Sequence, residues 1–256
     1  MKDRDFKDGV DIIEAESWDD FLSFINKNLQ YNHFIWRGQS DSSWLLEPTL
    51  DRALRKNEQQ NNESKQQRHL RRFKYAVRGR RGSNPSKIDN DNDWWALGQH
   101  NGLATPLLDW TRSPFVAAFF AFASPEEPET NRVVVYGISQ SSFKHKSDAI
   151  SKNYGGKGRP PIVEFIEPLS DENSRLVSQG GLFSRAPSGV DLEKWVREHY
   201  SGEKEKIRMW KILIPFSGRE EAMRSLNRMN INHASLFPDI YGASKFVNTG
   251  LDISNY

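Results

Sequence analysis

The residues from Trp94 to Phe122 hold the densest set of side chains able to do chemistry. Gln99, His100, Thr105, Asp109, Thr111 and Ser113 alternate there with apolar anchors such as Leu103, Leu107, Leu108 and Trp110. The run leads into Phe115 to Ala123, apolar on every side, after Ser113-Pro114, an N-cap serine followed by proline at the first helical position. The start of such a helix presents unpaired backbone N–H groups and the positive end of the helix dipole, which suits a phosphate or a polarised sugar hydroxyl. Composition alone favours a plainer reading, in which Asp109 and Thr111 cap and turn the chain.

Other chemistries find little support. The histidines (His33, His69, His100, His145, His199 and His233) show neither an i,i+4 pair nor a carboxylate triad, so no metal is expected. No G-x-S-x-G elbow marks a nucleophilic serine. Gly155-Gly156-Lys157-Gly158 lacks the spacing of a phosphate-binding loop and reads as a flexible loop.

The elements that must position the candidate groups are partly legible. Ser17, with Asp20 three residues on, caps a predicted helix through Trp18, Phe21, Leu22, Ile25 and Leu29. Phe34 to Gln39 is a short β-prone run that places Arg37 at a strand end. Residues 132–138, 162–166 and 207–214 read as strands, being rich in β-branched and aromatic residues. Leu70, Phe73 and Val77 mark a helix, as do Asp191 to Tyr200 and Ser217 to Met229, the last with a capping box in Ser217 and Glu220. Asn57 to Gln67 and Asn84 to Asp93 read as loops, the first mobile. Irregular mixing of strands and helices predicts a single α+β domain, with a mixed, mainly antiparallel sheet, peripheral helices and a core from about residue 17 to 248.

Composition bounds the partners. The 256 residues include no cysteine, which removes disulfides and thiolate metal sites and fits a reducing compartment. Neither a membrane span nor a signal peptide is visible, so a cytoplasmic protein without a membrane partner is expected. The net charge is only +2, yet Arg52 to Lys87 holds twelve basic residues against Glu58 and Glu63. This segment, with the residues up to 93, reads as a basic, partly flexible excursion that packs poorly in a core. It is either a nucleic-acid arm or a solvated surface balanced by the acidic remainder.

Several blocks, taken together, resemble the FRG domain family over roughly residues 34 to 246. They are Trp36-Arg37-Gly38-Gln39; Gln99-His100-Asn101-Gly102-Leu103 with Thr105; Leu107-Leu108-Asp109-Trp110-Thr111 with Ser113-Pro114; Arg175 with Gln179, Gly181 and Phe183; and Leu236-Phe237-Pro238-Asp239 with Gly242. The chain departs from the family pattern at Trp36, where phenylalanine is usual, at Ala104 for proline and at Pro106 for arginine. The layout also resembles, more distantly, the ADP-ribosyltransferase fold.

That resemblance implies NAD as co-substrate. Arg37 would hold the dinucleotide, Thr111 and Ser113 would shape the nicotinamide-ribose pocket, and a late acid would support transfer. Asp239, in the last family block, leads for that acid, with Asp109 and Glu164 as rivals; each also has an ordinary role as cap, turn or strand residue. Gln99, His100, Thr105, Asp109, Arg175 and Gln179 are the further ligand-binding candidates, with Gln179 against a base edge and Phe183 either stacking on it or lying in the core. The implied function is a nucleotide-binding ADP-ribosyltransferase or NAD glycohydrolase, in a toxin or defence setting. The alternative is a non-catalytic module that recognises a nucleotide or nucleic acid.

Overall fold

The computed structural model describes residues 4–28, 33–59, 63–168 and 177–256. Eight strands form one sheet: β1 (Arg4–Lys7), β2 (Val10–Glu14), β3 (Phe34–Gln39), β4 (Leu108–Thr111), β5 (Arg132–Ser139), β6 (Glu164–Ile166), β7 (Gly181–Arg185) and β8 (Met209–Pro215). Their spatial order is β1-β2-β8-β5-β3-β4-β7-β6, and every neighbouring pair is antiparallel except β2 with β8. The mixed, mainly antiparallel sheet and the α+β class are as the sequence predicts. From Val133 to Ser139 every residue of β5 is buried, as a strand covered on both faces requires.

The described helices are α1 (Trp18–Lys27), α2 (Thr49–Lys56), α3 (Glu63–Ala76), α4 (Asp91–His100), α5 (Pro114–Phe122), α6 (Gln140–Asn153), α7 (Leu192–His199), α8 (Arg219–Arg228), α9 (His233–Leu236) and α10 (Ile240–Asp252). One face of the sheet packs on α1, α5 and α8 through Trp18, Phe21, Phe119, Phe122 and Met223. The other packs on α6 and α7 through Phe143, Trp195 and Val196. A third cluster joins α2, α3 and α4 to the β6–β7 end, built on Leu50, Leu70, Trp95 and Phe183.

Local signals explain much of this. Ser17 accepts the Asp20 N–H at the start of α1; Leu29, to which the predicted helix extends, lies outside the described residues. Ser113 accepts the Val116 N–H, and Pro114 opens α5. Helix α5 then lies directly on β3 at Gly38, where any Cβ would overlap the Ala117 carbonyl oxygen. Glycine is the residue that allows this approach.

Several expectations need correction. The sheet begins before residue 17: β2 pairs with β8 and buries Val10 and Ile13. Helix α4 starts at Asp91, capped by Asn90, inside the stretch read as loop. The expected capping box at Ser217 and Glu220 does not form; residues Phe216–Gly218 make a 3₁₀ turn, and α8 starts at Arg219. Buried Arg219 donates through Nε to the carbonyls of Phe122 and Ser124, and this tertiary anchor sets the helix start in place of the local cap.

The basic segment also packs more closely than its charge implies. Residues 63–67 of the expected mobile loop lie in α3, while 60–62 fall outside the described residues. Gln66 and Leu70 are buried, and Gln66 accepts from Arg185 Nη2 at 3.2 Å. The cationic side chains ride mainly on the opposite face of the same helix, so local net charge does not forbid docking.

The Gly38 approach makes a direct prediction. Gly38→Ala should lower unfolding free energy in denaturant titration by about 2–3 kcal/mol or more, the cost of overpacking against backbone. Gly250→Ala, in α10 with nothing within 4 Å of the added methyl, should be neutral or slightly stabilising. Equal effects at the two glycines would contradict the close packing.

Candidate functional site

Strands β3 and β4 share a single register pair, Trp36 with Thr111, whereas β3 pairs with β5 along its whole length. Past that pair the two strands separate, and a pocket of about 390 Å³ opens in the notch between them. Its walls combine Arg37, Gln39, Arg52, Asp109, Thr111 and Gln179 with the aromatic rings of Trp36, Trp44, Phe120 and Phe237. A concave cavity in which polar groups converge among aromatic rings has the form of a small-molecule site.

Arg37 spans the notch. Its Nη1 donates to the Asp109 carbonyl at 2.9 Å and lies 3.5 Å from the Asp109 carboxylate. The Arg37 side chain is only 17% exposed but that of Asp109 is 62% exposed, so water screens the pair and it contributes little to stability. Arg37 Nε is buried without a hydrogen-bond partner among the described residues. Burial is the main influence that pulls the Arg37 pKa down; Asp109 raises it and the nearby Arg52 cation lowers it again. Arginine remains charged against such shifts. Arg52, exposed on α2, makes no ion pair among the described residues. The pocket thus carries two guanidinium groups against one carboxylate.

A chain of hydrogen bonds holds Asp109 in place. Gln99 Nε2 donates to Asp109 Oδ1 at 2.7 Å, while Gln99 Oε1 accepts from the Thr105 hydroxyl. Thr105 is fully buried; its Oγ1 also accepts the Leu107 N–H, and its backbone N–H donates to Thr49 Oγ1 at 3.1 Å. Both ends of the Gln99 amide are used, which fixes its orientation. Gln99 and Thr105 therefore act on the pocket through Asp109.

Other expected residues sort differently. Thr111 lines the pocket, but its hydroxyl donates to the Gln179 carbonyl at 2.7 Å and accepts the Ser113 N–H. Gln179 also lines it, with its amide Nε2 on the Leu236 carbonyl at 3.2 Å. Ser113 caps α5, and that helix contributes Ala117 and Phe120 to the wall; its first turn lies outside the lining. His100 borders a separate hollow with Phe73, Arg80 and Arg81. Arg175 lies outside the described residues.

Among the carboxylates, Asp239 caps α10 by accepting the Gly242 N–H at 2.9 Å and is not among the lining residues. Glu164 is held by Arg159 at 2.9 Å. Asp109 is the one acidic residue among those lining the pocket. Phe183 belongs to the buried cluster under α2 to α4. The late block contributes Phe237 instead: a Cβ on Gly242 would overlap the Phe237 carbonyl, so glycine lets α10 fold back tightly behind that ring.

Sequence reasoning missed Arg52, Trp44 and Phe120 as pocket residues. Arg52 is hidden in a run of cations, and nothing in the spacing of Trp44 or Phe120 marks them. Their placement follows from how α2, the loop after β3 and α5 meet across the notch.

The family model of the FRG domain matches residues 32–130 of the chain. The matched stretch contains Arg37, Gly38, Arg52, Gln99, Thr105, Asp109 and Thr111, while Gln179 and Phe237 lie beyond it. No curated protein matches the chain, and no solved structure does. Among the described residues no helix is long and apolar enough to cross a membrane.

Thr105 tests the hydrogen-bond chain. Thr105→Val keeps the side-chain shape but strands the Gln99 oxygen and the Leu107 N–H, and should cost about 1–3 kcal/mol in denaturant unfolding. A loss below about 0.5 kcal/mol would show that neither bond matters.

Proposed function

We propose that the notch binds a phosphate-bearing nucleotide of the NAD class. The observation that carries this reading is the excess of cation in the pocket: Arg37, with an unpartnered buried Nε, and Arg52, without an ion pair among the described residues, share Asp109 as their one lining carboxylate. A guanidinium binds phosphate through a planar fork, and a low-dielectric wall strengthens the contact. Trp44, half exposed at the pocket, and Phe120 and Phe237 offer flat surfaces for a base or nicotinamide ring.

The reaction we infer is cleavage of the bond between nicotinamide nitrogen and ribose carbon. The bonding pair leaves with nicotinamide, positive charge develops on the ribose, and water or a nucleophile on a macromolecule takes the vacated position. Asp109 supplies the stabilising carboxylate, since Asp239 is engaged at the start of α10. A second reading, a module that binds the nucleotide without reaction, is favoured by the Gln99 and Arg37 contacts that already occupy Asp109. The nucleic-acid contact expected of Arg52 to Lys87 is a separate proposal, because within that segment only Arg52 lines the notch.

Titration calorimetry with NAD, alongside an assay of nicotinamide release, tests both readings. Arg37→Lys should weaken binding and Arg37→Ala should weaken it further, by on the order of tenfold to a hundredfold. Asp109→Asn should abolish nicotinamide release while retaining binding. Binding without release in the unaltered protein selects the module. A large fall in melting temperature for Arg37→Ala with unchanged affinity in the folded fraction would make Arg37 a strut between β3 and β4 and reject the clamp.

A further inference from the structure

Helix α3 carries an exposed cationic stripe. Gln66, Leu70, Phe73 and, just past its end, Val77 recur at helical spacing and turn inward. Arg68, Arg71, Arg72 and Tyr75 fall on the exposed side, and Arg78 continues that stripe in the following turn. The four arginines make no ion pair among the described residues, whereas neighbouring Lys74 is paired with Asp91 at 2.6 Å. Tyr75 is 56% exposed, and the Arg78 guanidinium sits 4.3 Å from its ring centre.

We propose that this face binds single-stranded nucleic acid, with the arginines on successive phosphates and Tyr75 stacked against a base. At 1.5 Å per residue the stripe from Arg68 to Arg78 is about 15 Å long, enough to follow a few phosphates of one strand. An exposed aromatic already backed by a guanidinium is a stacking platform for an unpaired base, which a duplex keeps inside. A lipid surface fits less well, because the stripe carries no aliphatic side chain to enter the acyl region. The inference is independent of the nucleotide pocket, whose walls include no residue of α3.

The test is fluorescence anisotropy of the full chain with a labelled single-stranded oligonucleotide of mixed sequence, across a salt series. Affinity should fall linearly on logarithmic axes. Arg71→Ala with Arg72→Ala should flatten the slope by about 1.4, roughly 0.7 for each phosphate left without its arginine. Tyr75→Ala should weaken binding roughly tenfold and leave the slope unchanged. These side chains are exposed, so melting temperatures should hold. Absence of oligonucleotide binding at low salt, or a Tyr75→Ala protein that binds as well as the original, would overturn the proposal. Equal binding to duplex DNA or to phosphatidylserine vesicles would do so too, by reducing the face to a general anion surface.

Discussion

The contact on which the site depends is the backbone approach of α5 to β3 at Gly38. With the Ala117 carbonyl standing where a Cβ would be, the helix lies closer to the strand than a side chain allows. Ser113 and Pro114 then start the helix at a fixed point, and β4, which runs into that start, is fixed with it. The two strands meet at Trp36 and Thr111 and separate beyond. The notch is thus a consequence of where one glycine lets a helix sit, and Arg37, next in sequence to that glycine, is carried to its rim. Gly137 plays a matching part, since a Cβ there would strike the Trp36 ring that forms one wall.

Electrostatics give this notch its character. A guanidinium in a low-dielectric setting is tolerated when its donors are met. Arg37 meets only part of that demand through Asp109, whose exposed carboxylate is shared with Gln99. Two other arginines have their buried donors met by protein oxygens. Arg159 donates to Glu164 and to the carbonyls of Ile162, Arg185 and Ala186, and Arg219 donates to two carbonyls. Arg37 and Arg208 each retain a buried Nε without a partner among the described residues, and of the two only Arg37 lines the notch, where the proposed anion would complete its bonding.

What the sequence made legible was local chemistry. Ser17 and Ser113-Pro114 each cap a helix because an N-cap needs only a side chain and the next turn. Strands β4 and β7 were not legible as strands, since Leu108 to Thr111 and Gly181 to Arg185 become strands by pairing with each other across some seventy residues of chain. The same distinction governs the site. Arg37, Asp109, Thr111 and Gln179 stood out by motif and do line the pocket, whereas Arg52 and Trp44 reach it only through tertiary packing. Asp239 shows the reverse, a motif residue whose carboxylate serves its own helix.

The central claim is that the notch reads phosphate through its guanidinium groups, and comparison of two ligands tests it most directly. ADP-ribose and adenosine share a base and a ribose but differ in the pyrophosphate and the second sugar. Titrated by calorimetry against the full chain at one salt concentration, ADP-ribose should bind more tightly by on the order of a hundredfold, the combined effect of charge-assisted contacts from Arg37 and Arg52. Equal affinities for the two ligands, or binding of neither, would contradict a phosphate-reading site between β3 and β4.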